Sequence, residues 1–213
     1  MRYVTKAELK GRKSEINLAI DKIRKNLNYS FNLYLVGSAK RNLVLVHENK
    51  NDNKNEGRFD LDYQIRISSK NKDENTPKKI KDDFFKAFQK YFSGDEGWKC
   101  YDSTTAITIK KYDITKKPCV ELYSYDVVIC KIIGKTNKMS VIKRVEKNDY
   151  SWNELSMYQN LQDNIKKIKG EKWNELRKAY KKKREDNLKI QSSINRKSFE
   201  IFIEAVVEVA DSN

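Results

Sequence analysis

The segment Phe59 to Ile67, FDLDYQIRI, alternates without a break: Phe59, Leu61, Tyr63, Ile65 and Ile67 share one parity, and Asp60, Asp62, Gln64 and Arg66 share the other. Side chains at i and i+2 of a strand point to the same face, so the pattern predicts a strand with its apolar face in a core and its polar face left open. That open face carries two carboxylates about 7 Å apart at their α-carbons. Asp is depleted in strands and like charges on one face repel, so something must offset the cost. A bound divalent metal would do so; a salt bridge to Arg58 or Arg66 is the plainer alternative.

The flanking elements follow from capping and period. Thr5 and Glu8 form a capping box ahead of Leu9, Ile16, Ile20, Ile23 and Leu27, which predicts a helix ending near Asn28. Apolar runs at Phe31 to Val36 and Leu43 to Val46 read as strands, and a polar loop over Glu48 to Gly57 leads into the alternating segment. Thr76 as N-cap and Pro77 at the first helical position open a second helix through Ile80, Phe84, Phe88 and Tyr91. Strand-like runs follow at Thr104 to Lys110, Val120 to Ile132 and Met139 to Val145. Beyond Asp149 a second capping box, Ser151 and Glu154, predicts helix through Trp152, Leu155, Tyr158, Leu161, Ile165 and Ile168, with Gly170 as the stop. A basic helix from Glu171 to about Ile190 and an apolar one around Phe199 to Val206 end the chain. The fold class expected is α+β, with a core over residues 1–148 and a basic helical lobe over 149–213.

Three more positions bear on chemistry. Gly37, where the Phe31 to Val36 strand ends, lets a phosphate approach the backbone, Ser38 offers a hydroxyl, and Lys40 and Arg41 follow as counter-charges. A helical turn starting there would add free N–H groups. A glycine-serine pair at a strand end is also an ordinary turn. Asp126 lies inside YSYDVVIC, an otherwise apolar strand, where an unpaired carboxylate is expensive to bury; it either completes a three-carboxylate site or pairs with a lysine.

Net charge is +15 over 213 residues, which favours polyanionic partners such as nucleotides or nucleic acid, although scattered lysines are also an ordinary solvated surface. From Asn164 to Lys197 there are 13 Lys and Arg against 4 Asp and Glu, so that segment holds +9 of the total. Other classes are disfavoured. Cys100, Cys119 and Cys130 are odd in number without CxxC spacing, and His47 is the single histidine, so zinc, disulfide and Ser-His-Asp readings lack their parts. No apolar run approaches the length of a membrane span, and MRYVTKAELKGRK has no apolar signal core, so a cytoplasmic protein is expected.

The order of strand with Gly37-Ser38, then Asp60 and Asp62 among apolar residues, then Asp126 on a later strand resembles the DNA polymerase β-like nucleotidyltransferase superfamily over Phe31 to Ile132. The resemblance implies that core with a mixed sheet and a second, helical lobe. It implies Gly37 and Ser38 at the β- and γ-phosphates of an NTP such as ATP, Asp60 and Asp62 on two metals, and Asp126 on the catalytic metal, with Mg²⁺ or Mn²⁺ as cofactor. The gap between Ser38 and Asp60 is long and strand-like where many members have a helix, an arrangement similar to the bacterial cyclic-oligonucleotide synthases. The reaction implied is transfer of an NMP to an acceptor hydroxyl. Lys169, Lys172, Arg177 and Lys181 are candidates to clamp a triphosphate or RNA backbone. Tyr150 and Trp152 are candidates to stack on a base, with core packing as their alternative. The acceptor stays open between an RNA such as a tRNA 3′ end, an antibiotic and a second nucleotide in second-messenger synthesis. A toxin or phage-defence setting fits a compact transferase of this kind, though no residue argues for it. A non-catalytic, basic RNA-binding module is the alternative from another class.

Overall fold

A computed structural model describes residues 1–46, 58–68, 76–133, 138–155, 159–168, 170–189 and 197–212, and these hold nine strands and six helices. In chain order they are β1 (Arg2–Tyr3), α1 (Lys6–Asn26), β2 (Phe31–Leu35), α2 (Gly37–Lys40), β3 (Leu45–Val46), β4 (Phe59–Ile67), α3 (Pro77–Phe92), β5 (Trp98–Asp102), β6 (Ala106–Asp113), β7 (Val120–Ile133), β8 (Lys138–Glu146), β9 (Asp149–Glu154), α4 (Gln159–Lys167), α5 (Glu171–Lys189) and α6 (Ser198–Asp211). The chain divides into two compact units, Arg2–Leu155 and Ser156–Asn213, with Met1 grouped with the second.

The first unit is built on a seven-stranded mixed sheet in the order β2-β4-β7-β6-β5, with β8 added to β7 and β9 to β8. β4 and β7 run parallel, and every other pair is antiparallel. The return from β4 to β7 passes through α3 and the β5–β6 hairpin. β4 buries Leu61, Tyr63, Ile65 and Ile67 and leaves Asp60, Asp62, Gln64 and Arg66 wholly or partly exposed, the expected alternation. Helices α1 and α3 fill the apolar face. Leu9, Ile16, Ile20 and Ile23 of α1 and Ile80, Phe84 and Phe88 of α3 join one core with Leu61, Ile65, Ile107, Ile109, Tyr125 and Val127. Both helices start as expected. The Thr5 side chain accepts from the Glu8 N–H in a reciprocal capping box, and Thr76 accepts from the Lys79 N–H with Pro77 at the first turn.

Two local expectations are corrected, and one strand is added. Residues 149–154 form strand β9 and not the start of a helix, which extends this unit to Leu155. Asn148, at φ 68, closes a tight hairpin that pairs β9 with β8, and pairing outweighs the Ser151/Glu154 capping signal. The run Leu43 to Val46 contributes only the two-residue β3, which pairs with β1 in a separate small sheet. The added strand is β5, in which Trp98 and Cys100 alternate with Lys99 and Tyr101.

The second unit contains α4, α5 and α6. Leu161, Ile168, Leu176, Tyr180, Ile201, Phe202, Val206 and Val209 are buried, and the rings of Tyr180 and Phe202 meet edge to face at 6.1 Å. Gly170, at φ 57, makes the expected break before α5.

Candidate active site

The parallel register of β4 and β7 sets Asp62 opposite Asp126 and Asp60 opposite Ser124. Adjacent strands are about 4.8 Å apart, so the two sequence-distant carboxylates are neighbours on the open face of the sheet. Further across, Thr108 of β6 pairs with Asp126 and Lys110 with Ser124, while Tyr101 and Lys99 of β5 pair with Thr108 and Lys110. The open face therefore carries two rows: Asp62, Asp126, Thr108 and Tyr101, and beside it Asp60, Ser124, Lys110 and Lys99.

Gly37 completes one end of the first row. The Val36 N–H donates to the Asp62 carbonyl at 2.9 Å, keeping the chain against β4 as it leaves β2. Gly37 then turns at φ +62, where L side chains are strained. A Cβ at this position would overlap Asp62 Oδ2 and lie 2.9 Å from its Cγ, so two separate constraints require glycine. The helical turn α2 begins there, and the Ser38 carbonyl accepts from the N–H groups of Arg41 and Leu43 at 3.1 and 2.9 Å. The Arg41 guanidinium, its pKa lowered by burial, donates to the Gly37 carbonyl at 3.1 Å and so braces this turn. Lys40 is exposed.

The three carboxylates have different surroundings. Asp60 is exposed and accepts a hydrogen bond from Ser124, which is 2% exposed. Asp126 accepts from the Thr108 hydroxyl at 2.6 Å. Burial raises the Asp126 carboxyl and the charge of Asp60 adds to this, against the hydrogen bond from Thr108 and the charge of Lys110. Asp62 is pushed up to about 6 by burial and then by the charges of Asp126 and Asp60. Among the described residues the Asp62 carboxylate has no hydrogen-bond donor and no cation partner. The salt-bridge alternative fails on geometry: Arg58 pairs with Glu121 at 2.9 Å, and Arg66 donates to Gln64 and stacks over the Tyr34 ring at 4.2 Å. Among the described residues Asp126 forms no ion pair with a lysine either; Lys110 goes to Glu121 at 2.9 Å.

Among the described residues no three His, Cys, Asp or Glu side chains form a ready-made metal cage. Mg²⁺ does not require one, because it keeps several waters and is held by one or two carboxylates together with substrate phosphates. Asp62, without a partner among the described residues and raised chiefly by burial, stands beside two further carboxylates, a donor set of the oxygen chemistry such an ion takes.

Other sequence candidates lie elsewhere. Tyr150 is buried, its hydroxyl bonded to Asp102 and Arg144, so the base-stacking expectation is corrected there in favour of core packing. Trp152 is half-buried against the core, with Lys131 Nζ 4.5 Å from its ring. Lys172, in the second unit, donates to the Ser212 carbonyl at 2.8 Å. Lys169 and His47 fall outside the described residues. Ser124, Thr108 and Lys110 were missed from sequence. Ser124 shares the parity of Asp126, a signal that was present, whereas the role of Thr108 depends on which strand lies beside β7.

No protein-family model and no curated protein sequence matches the chain. In solved structures the chain is similar to the Vibrio cholerae DncV cyclic AMP-GMP synthase in complex with the linear intermediate 5′ pppA(3′,5′)pG, at TM-score 0.62 and 12% identity over 88% of this chain and 49% of that one. Escherichia coli DncV in its 3′-deoxy GTP bound form matches at TM-score 0.55 and 14% identity over 87% and 48%. The STING-associated CdnE c-di-GMP synthase from Capnocytophaga granulosa matches at TM-score 0.60 and 14% identity over 100% and 64%. The chain spans about half the length of the DncV structures. The likeness shows that the chain shares the fold of these cyclic dinucleotide synthases.

Proposed function

We propose that the chain transfers a nucleoside monophosphate from an NTP to a hydroxyl of a second nucleotide, the chemistry that begins second-messenger synthesis. The observation that carries this reading is the parallel pairing of β4 with β7, which sets Asp62 beside Asp126 with Asp60 two residues away on the same face. Asp60, Asp62 and Asp126 are the residues to hold Mg²⁺ or Mn²⁺, which when bound neutralises the pyrophosphate leaving group and acidifies the attacking hydroxyl. Gly37 keeps side-chain bulk away from the Asp62 carboxylate, leaving room for a phosphate, for which the Ser38 hydroxyl and the exposed Lys40 are the candidate polar partners. Asp126 has Oδ1 occupied by Thr108 and can receive the acceptor's proton on Oδ2. As the new oxygen–phosphorus bond forms, the bond from the α-phosphorus to the bridging oxygen breaks and pyrophosphate departs.

The acceptor assignment rests on the far side of the same face. Tyr101, 41% exposed, and Tyr112 bring their hydroxyls to 3.3 Å. Lys110 Nζ lies 5.8 Å from the Tyr101 ring, and Lys99 Nζ lies 5.4 Å from the Tyr112 ring. β5 is two strands, or about 10 Å, from Asp126, within the span of a nucleotide whose hydroxyl sits at the carboxylates. An aromatic and cationic patch there suits an anionic, base-bearing acceptor and repels a cationic antibiotic. The likeness to synthases of cyclic AMP-GMP and c-di-GMP favours a nucleotide over an RNA 3′ end.

The test is incubation with pairs of NTPs, one labelled at the α-phosphate, with Mg²⁺, alongside Asp62→Asn. The expected result is a phosphatase-resistant oligonucleotide from the wild type and none from the variant. Label appearing instead on RNA would overturn the acceptor assignment. A product that persists in a folded Asp62→Asn protein would overturn the site.

A further inference from the structure

The rows on the open face place a second set of groups behind the carboxylates. Thr108 Oγ1 donates to Asp126 Oδ1 at 2.6 Å, the short distance of a hydroxyl bonded to an ionised carboxylate. Ser103 Oγ lies 3.0 Å from the same Thr108 oxygen. A hydroxyl has one proton, and that of Thr108 is committed to Asp126, so Ser103 must be the donor in the second contact. Ser103 is itself held twice. Its N–H donates to the Ala106 carbonyl at 3.0 Å, and its carbonyl accepts from Lys81 Nζ at 2.5 Å. Lys81 projects from α3 into the core at 1% exposure and pairs with Asp102 at 2.9 Å. Lys81 thus anchors the Ser103 backbone in the β5–β6 turn, and from the Ser103 side chain two hydroxyls lead in one direction to one carboxylate oxygen.

We propose that Thr108 is a positioning residue for Asp126, and that Ser103, anchored by Lys81, sets the direction of the Thr108 proton. The inference rests on the nucleotidyl-transfer reading above and names residues beyond its three carboxylates. The backbone alone does not orient Asp126, because the terminal torsion of an Asp side chain is broad and roughly two-fold. Repulsion from Asp60 and Asp62 would turn an untethered carboxylate away from them. The Thr108 bond fixes Oδ1 and leaves Oδ2 for the reacting groups. Cross-strand hydroxyl pairs are common on sheets; this one ends on a carboxylate of the proposed site, and its direction is determined.

The test uses the full chain and three variants, Thr108→Val, Thr108→Ser and Ser103→Ala. Binding of Mn²⁺, alone and with α,β-methylene-ATP, is followed by electron paramagnetic resonance, with steady-state turnover and melting temperature measured in parallel. Removing a group that orients a metal-binding carboxylate costs about tenfold to a hundredfold in metal affinity or activity, so Thr108→Val is expected to lose that much in Mn²⁺ affinity and kcat. Its KM for NTP should stay near the wild-type value, and Thr108→Ser should restore both losses. Should Thr108→Val fail to fold, Ser103→Ala, which keeps the Thr108 hydroxyl, carries the test with a smaller loss in the same direction. Wild-type Mn²⁺ affinity and turnover in the folded valine variant, or in Ser103→Ala if that variant carries the test, would overturn the inference alone, as would a serine variant as impaired as the valine. A wild-type protein without saturable Mn²⁺ binding sensitive to Asp62→Asn would overturn the function reading and this inference with it.

Discussion

At the scale of single residues, Gly37 and Asp62 constrain each other. A left-handed backbone costs a non-glycine residue about 1–2 kcal/mol, and here a Cβ would also displace the Asp62 carboxylate. Gly37→Ala is therefore expected to lose about 1–3 kcal/mol in urea unfolding and to abolish label transfer even where the protein is folded. Asp62 has a pH signature of its own. Its carboxyl is pushed up to about 6 by burial from an ordinary 3.8, so between those pH values the folded, metal-free state holds a proton that the unfolded chain has released. The stability this contributes is full below the unfolded value and is lost as pH rises through about 6. Asp62→Asn cannot ionise, so its metal-free form should be more stable than the wild type at pH 7.5, by on the order of 2 kcal/mol, and no more stable at pH 4. Thermal melts at the two pH values check this. In the wild type, Mn²⁺ affinity should fall as pH drops below about 6, because the carboxylate must be ionised to bind. Asp60 and Asp62 could be placed from sequence because strand alternation assigns both to one open face, whereas Asp126 stood out only as a carboxylate in an otherwise apolar run. The partners of Asp60 and Asp126 were not legible, since Ser124 and Thr108 acquire their roles only from strand register.

At the scale of elements, α3 shows where a helical pattern misleads. Ile80, Phe84 and Phe88 mark its buried stripe, and Lys81 is buried beside them. Burial lowers the Lys81 pKa against the pull of Asp102. Burial alone would raise the Asp102 carboxyl, yet bonds from Tyr150, Lys81 and Arg144 hold it below its ordinary value. This network ties α3 to β5, β8 and β9. Removing one partner of a buried pair costs about 3–5 kcal/mol. Asp102 keeps Arg144 and Tyr150, so Lys81→Met is expected at the low end, about 3 kcal/mol, measured by urea unfolding. Lys79→Ala, which breaks an exposed helical pair with Asp83 at 2.7 Å, should cost no more than about 0.5 kcal/mol. β9 illustrates the opposite case. Its capping box was a genuine local signal, and the Asn148 hairpin overrode it because an edge of β8 was available to pair.

At the scale of the molecule, the core that supports the carboxylates lies wholly within Arg2–Leu155. Residues 1–155 on their own are therefore expected to unfold cooperatively in urea and to retain Mn²⁺ binding; a non-cooperative transition would show that the second unit completes the core. The sequence by itself determined the elements whose period and caps are strong: α1, α3, β4, β7 and the break at Gly170. It also determined the face on which Asp60 and Asp62 stand, because burial of the alternate residues of β4 leaves no other choice. Only the tertiary structure decided that β4 and β7 are parallel neighbours, that β5 and β6 lie on the far side of β7, and that residues 149–154 extend the sheet. Periodicity is a property of one strand, whereas adjacency and register are properties of two. Convergence of Asp60, Asp62 and Asp126 on one surface, and the hydroxyls that hold two of them, belong to the second kind.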